Sequence, residues 1–220
     1  MQPFRIVEGV AAALPGANID TDVIMPKMFL KGIDRSGLDR GVFHDLRFAE
    51  DGRPRPDFVL NRDPWRQAAF LVVGPNFGCG SSREHAVWGL KQLGVRALLG
   101  VSFAGIFFDN CARNGLLALT LPEAVVSELL AAASDPARCR LQIDLPAQTL
   151  TGADGAVGFD IDPVLKTMLV DGLDPVGATL RHADEIRAFE AGHFQARPWL
   201  RAAPDGLAMQ DFNGMMRAEY

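Results

Sequence analysis

The stretch "NFGCGSSREHAVWGL", residues 76–90, gathers residue types that could do chemistry. Gly78 and Gly80 flank Cys79, the adjacent hydroxyls of Ser81 and Ser82 follow, and Arg83, Glu84 and His85 come next. Glycines let backbone approach a ligand closely. Arg83 carries a planar fork that matches a carboxylate. A helix starting here would add unpaired N–H groups and a partial positive charge, which suit an anion. In such a setting a serine can act as a base. Its free hydroxyl is far too weak an acid, so the alkoxide needs cationic charge and N–H donors in a dry site. The chemistry would be removal of a proton next to a carboxylate.

Other readings compete for the same residues. Ser81 and Glu84 have the Ser-x-x-Glu spacing of a capping box ahead of an apolar helical run. On that reading Ser81 caps a helix, Glu84 is its partner and His85 is structural. The glycines do not form Gly-x-Gly-x-x-Gly, and no Gly-Lys-Ser/Thr follows, which disfavours a phosphate loop. "GCGSS" (78–82) is not the Gly-x-Ser-x-Gly elbow of hydrolases. Cys79 as a nucleophile would need a base, and His85 is the near candidate.

The elements that must carry this loop are legible around it. "AAFLVVG" (68–74) is a short apolar strand, "VRALLGVSF" (95–103) a second and "LLALTL" (116–121) a third. Residues 83–93 predict a helix with Ala86, Leu90 and Leu93 on one stripe, ended by Gly94. "AGIFFDNCARNG" predicts a helix closed by Gly115, and residues 122–133 predict another. This alternation is the grammar of an α/β fold with a mostly parallel central sheet flanked by helices. Upstream, residues 4–14 suit a first strand, and "PGANIDTDVIMP" (15–26) reads as a loop. Downstream, "RLQIDLPAQTLTGADGAVGFDID" predicts a hairpin. "PVLKTMLVDGL" and "ADEIRAFEAGHF" predict closing helices, and residues from about 201 a C-terminal tail. One domain over 1–220 is expected.

The totals exclude several classes. The 220 residues are 48% apolar and 22% charged with a formal net charge of −5. No basic run exceeds two residues, so a nucleic-acid surface is not expected. The longest nearly uncharged apolar stretch, Leu98 to Phe108, falls short of the roughly 18–20 residues of a membrane span. Cys79, Cys111 and Cys139 are an odd number at wide spacing, without Cys-x-x-Cys. Neither a disulfide framework nor a metal or cluster site held by this chain alone is expected. A cytoplasmic location follows from these observations.

"NFGCGSSREHA" resembles the signature of the aconitase superfamily's swivelling domain, most closely that of 3-isopropylmalate dehydratase small subunits. Three further stretches share the resemblance: "NIDTDVIMPKMFLK" (18–31), "SFAGIFFDNCARNGLLAL" (102–119) and "LVDGLDPVGATLRHADEIRAFEA" (169–191). The resemblance spans nearly the whole chain. It implies a swivelling β/β/α domain that pairs with a large subunit, whose three cysteines carry a [4Fe–4S] cluster. A small dicarboxylate substrate would lie between the chains. It implies Ser81 as the catalytic base, with Ser82 and Arg83 holding the alkoxide and a substrate carboxylate. Asp22 matches an active-site aspartate and Arg35 a carboxylate-binding arginine. The loop around 28–35 is implied to read the substrate side chain.

The remaining candidates are expected to be structural. Asp20 is the exception, as well suited to bracing its loop by bonding backbone as to serving the site. His44, His182 and His193 fit surface or helix-end positions, and Trp65, Trp88 and Trp199 fit core or interface. Gly105 and Cys111 stand where the family often has an acid and a serine. The alternatives left open are a related hydratase small subunit acting on citraconate, dimethylmalate or homoaconitate, a non-catalytic anion-binding partner module, and a self-sufficient cysteine enzyme.

Overall fold

Runs of small and branched apolar residues without charges are suited to strands covered on both faces. In the computed structural model, which describes residues 1–32 and 35–200, three such runs and a first strand that carries Glu8 form a parallel set. These are β1 (Ile6–Leu14), β2 (Ala68–Val73), β3 (Ala97–Gly100) and β4 (Leu117–Thr120). Between them come two short helices, α1 (Thr21–Ile24) and α2 (His44–Arg47), then α3 (His85–Gln92) and α4 (Gly105–Asn114). Helix α5 (Glu123–Ala133) leads out of the parallel set.

Strand β5 (Arg140–Asp144) then returns to the centre and pairs antiparallel with β1, followed by β6 (Thr149–Gly152) and β7 (Gly155–Gly158). The sheet order is β4-β3-β2-β1-β5-β6-β7. The single hairpin expected over this stretch is thus a three-stranded meander. Its sequence holds two turn signals, "LPAQ" and "GADG", and each reverses the chain.

Side chains alternate across each strand, so the sheet buries two separate cores. Leu71 and Val73 of β2 face Ala86, Val87 and Leu90 of α3 and Phe107 and Cys111 of α4. Phe70 and Val72 face the other way, toward Val126 and Leu129 of α5 and the apolar side of the meander. Each of the Val, Leu and Phe side chains among them contributes about 1.5–3 kcal/mol by leaving water. Helix α6 (Pro163–Asp171) closes the second core with Leu169. Asp162 caps it, accepting from the Val164 and Leu165 amides at 2.9 Å each.

Contacts divide the chain into two compact units, Met1–Val176 and Gly177–Tyr220, with α7 (Pro175–Leu180) crossing the boundary. The second unit contains α8 (Ala183–Ala196), where the His193 ring stacks on Phe189 at 5.4 Å. The expected C-terminal tail, 201–220, lies outside the described residues.

Candidate active site

Parallel strands converge their carboxyl ends on one edge of the sheet, and ligands in open α/β sheets bind beyond that edge. Here the chain keeps pairing past the ends of β1, β2 and β3. The Asn18 amide donates to the Pro75 carbonyl at 2.9 Å, and the Gly78 amide to Ile19 at 2.8 Å. On the other side, the Phe77 amide donates to Ser102 at 3.3 Å and the Ala104 amide to Phe77 at 3.0 Å. Three loops are thereby stitched side by side, with the glycine–serine loop in the middle.

That loop needs its glycines. Gly78 and Gly80 have φ of +78° and +92°, a region that other residues enter at a cost. A Cβ on Gly78 would lie 2.2 Å from the Phe107 ring. Phe107 packs edge-on against Phe77, centroids 5.6 Å apart, so α4 forms the floor under the loop.

Asp20 caps α1 by accepting the Val23 amide at 2.8 Å, the backbone role of the two open to it. This sets Asp22 in the first turn, where it forms an ion pair with the Arg83 guanidinium. Lys27 Nζ approaches the other Asp22 oxygen at 3.8 Å. Arg83 keeps 21% of its side chain exposed, yet its Nε is buried and meets no acceptor among the described residues. The arginine is thus fixed at one corner by Asp22, with a donor unused.

Helix α3 begins at His85, with Glu84 in the capping position and no side-chain cap bond. The capping box suggested by Ser81 and Glu84 is not formed. Long-range bonds take both residues instead. The Ser81 carbonyl accepts from Thr21 Oγ1 at 2.9 Å and from the Arg83 amide at 2.8 Å. The Glu84 carboxylate accepts from Asn114 at 3.3 Å. Ser81, at a bend, and Ser82 after it are left exposed. The first helical bond runs from the Trp88 amide to the Glu84 carbonyl, so the helix itself leaves its opening amides unbonded.

Arg35 is placed elsewhere, its guanidinium 4.0 Å above the Trp88 ring. Trp88 packs against the first core, as expected, and its ring also carries Arg35. Its Nε1 donates to Asn114 Oδ1 at 2.9 Å. Gln92 holds the same loop from below. Its Oε1 accepts the Leu38 amide at 2.8 Å and its Nε2 donates to the Arg35 carbonyl. Lys91 beside them is pushed below its ordinary pKa, chiefly by burial and next by Arg96. Of the loop implied to read the substrate, Ile33 and Asp34 lie outside the described residues.

The structure joins Asp22 to Arg83 directly and to the Ser81 loop through Thr21, and it sets Arg35 on α3. Sequence reasoning passes over Thr21, Lys27 and Asn110. Thr21 is hidden as the middle letter of "DTD", and Asn110 lies inside an ordinary helical pattern. Cys79 is half-buried, its Sγ 3.5 Å from the Asn18 carbonyl. No three His, Cys, Asp or Glu side chains among the described residues stand close enough to hold a metal ion. No described helix is long and apolar enough to cross a membrane.

Residues 1–124, which include every candidate site residue, match the family model of the aconitase C-terminal domain. The small subunit 1 of 3-isopropylmalate dehydratase from Mannheimia succiniciproducens is 56% identical over 201 residues, covering 91% of this chain and all of that one. The chain belongs to the 3-isopropylmalate dehydratase small-subunit family. Further small subunits agree: small subunit 2 from Salmonella typhimurium is 51% identical over 94% of this chain and all of its own. Residues 176–203 match the family model for the C-terminal domain of these small subunits. A crystal structure of 3-isopropylmalate dehydratase from Methanocaldococcus jannaschii superposes with a TM-score of 0.58 at 24% identity, covering 84% of this chain and 99% of that one. That structure shares the fold of this chain, and the resemblance of "NFGCGSSREHA" to the aconitase superfamily and to these small subunits is borne out.

Proposed function

We propose that this chain supplies the base and the carboxylate-binding arginine for isomerising 2-isopropylmalate to 3-isopropylmalate, a step of leucine biosynthesis in the cytoplasm. It would work as one swivelling domain, active only with a large subunit. The observation that carries this is the Asp22–Arg83 pair, set against the exposed serines by loops stitched beyond the parallel strands.

Ser81, as its alkoxide, takes the proton from the carbon adjacent to the hydroxyl-bearing carbon. The hydroxyl leaves as water with a proton from a general acid that the large subunit would supply, and an alkene forms. Water then re-adds with its oxygen on the neighbouring carbon and gives its spare proton back to that acid, and Ser81 returns its proton to the carbon that lost the hydroxyl. Arg83, held by Asp22, offers the exposed part of its guanidinium to a substrate carboxylate and its charge to the alkoxide. Ser82 and the opening amides of α3 stabilise the same negative charge. Arg35, presented on Trp88, would meet the second carboxylate. A [4Fe–4S] cluster on the large subunit would supply the Lewis acid for the leaving hydroxyl. Cluster-holding residues are not expected of this chain, and its described residues offer no such set.

The test is anaerobic reconstitution with a cluster-loaded large subunit, following alkene formation from 3-isopropylmalate. Wild type should turn over only with both chains present. Ser81→Ala should lose on the order of 10³-fold or more in kcat, as removal of a reacting group does. Undiminished turnover by Ser81→Ala would refute the base assignment.

A further inference from the structure

Among the described residues, two polar side chains are fully buried: Thr21, 2% exposed, and Asn110, 5% exposed. Burying a polar group is costly unless it is bonded, so where these bonds go is informative. Both go to the serine loop, and to consecutive carbonyls. Thr21 Oγ1 donates to Ser81 at 2.9 Å, and Asn110 Nδ2 to Ser82 at 3.5 Å. Thr21 binds the loop twice, because its own amide donates to the Cys79 carbonyl at 2.8 Å. Its two bonds straddle Gly80, where a Cβ would sit 3.4 Å from Thr21 Oγ1. The carbonyls of Cys79, Ser81 and Ser82 are thus anchored, the first two by Thr21 of α1 and the third by Asn110 of α4.

We infer that Thr21 is a positioning residue for Ser81, with Asn110 as its weaker counterpart on Ser82. This rests on Ser81 being the base. Thr21 touches neither substrate nor reacting atoms. It fixes the backbone on which the serine hydroxyl is aimed, so that a near-attack geometry forms without reordering the glycine-rich loop. The same element that supplies Thr21 also supplies Asp22. Short helix α1 therefore aims the base with one residue and the arginine with the next.

The measurement uses the reconstituted two-chain enzyme. Thr21→Val keeps the volume and removes the donor. It should lower kcat on the order of 10- to 100-fold, with KM within about threefold of wild type. Thr21→Ser, which restores the hydroxyl, should recover most of the rate. In a Ser81→Ala background, Thr21→Val should cost less than about twofold more, because there is no base left to aim. If Thr21→Val does not fold by circular dichroism, Thr21→Ala is read on the same terms. Wild-type kcat in Thr21→Val beside an inactive Ser81→Ala overturns the positioning role alone. An equal loss in the Ser81→Ala background overturns it too, by marking the effect as general. Full activity in Ser81→Ala overturns the underlying base assignment.

Discussion

Arg83 is the residue on which two kinds of energy separate. Its pair with Asp22 is partly open to water, at 21% and 45% side-chain exposure, and such pairs contribute at most about 1 kcal/mol to stability. Its guanidinium fork, however, can hold Asp22 and a ligand oxygen at once. Lysine offers a point charge and cannot do both. Arg83→Lys should therefore leave the melting temperature nearly unchanged and lower kcat/KM about 100-fold in the reconstituted enzyme. A melting temperature that falls while kcat/KM holds would assign Arg83 to structure. The fork is legible in the residue type and Asp22 through the family resemblance, but their pairing is not. Lys27, the second cation on Asp22, is not, because five residues separate them and only the tight turn of α1 brings the pair within reach.

Strands and helices inferred from pattern succeed or fail here for identifiable reasons. β2, β3 and β4 are covered on both faces, so their sequences carry no charge and stand out. Helix α4 is closed at Gly115, with φ of +73°, as its glycine announces. The start of α3 differs from its pattern because "SSRE" satisfies two local arrangements, and bonds spanning about thirty and sixty residues choose between them. No local signal records such bonds. The same packing yields a prediction for the loop–helix contact. Gly78→Ala must both adopt a positive φ and displace the Phe107 ring. Urea unfolding should show a loss of about 2–4 kcal/mol. Gly78→Ala paired with Phe107→Leu should lose less than the sum of the single variants, because the smaller side chain makes room. Strict additivity would mean the clash is not what destabilises the loop.

Within Met1–Val176, the sheet carries a core on each side, and two thiols, Cys111 and Cys139, lie in one of them. Cys111 is wholly buried, and burial raises its pKa well above the ordinary 9.0. The sign follows from that direction. Below about pH 9 the thiol is neutral in both folded and unfolded chains, and its contribution is fully present. Above that, only the unfolded chain ionises it, so stability falls by about 1.4 kcal/mol per pH unit until the folded thiol also titrates. Unfolding free energies from pH 8 to 11 should decline less steeply in Cys111→Ala by about one thiol's worth. Identical slopes would show that Cys111 ionises without hindrance in the fold.

The strand order also dictates when the molecule can close. β1 is made first, yet it sits at the centre of the sheet, between β2 and β5. Its antiparallel neighbour spans Arg140–Asp144, so the residues pairing with Ile6–Val10 emerge from the ribosome well over a hundred positions later. Until then an apolar nine-residue ribbon has one bare hydrogen-bonding edge, and the arm bearing Asp20, Thr21 and Asp22 hangs from its end. During synthesis the half of the chain that carries the candidate site is thus complete in sequence before it is enclosed in space. Chaperone protection of the nascent chain matters most in that interval, and the meander acts as the latch that ends it.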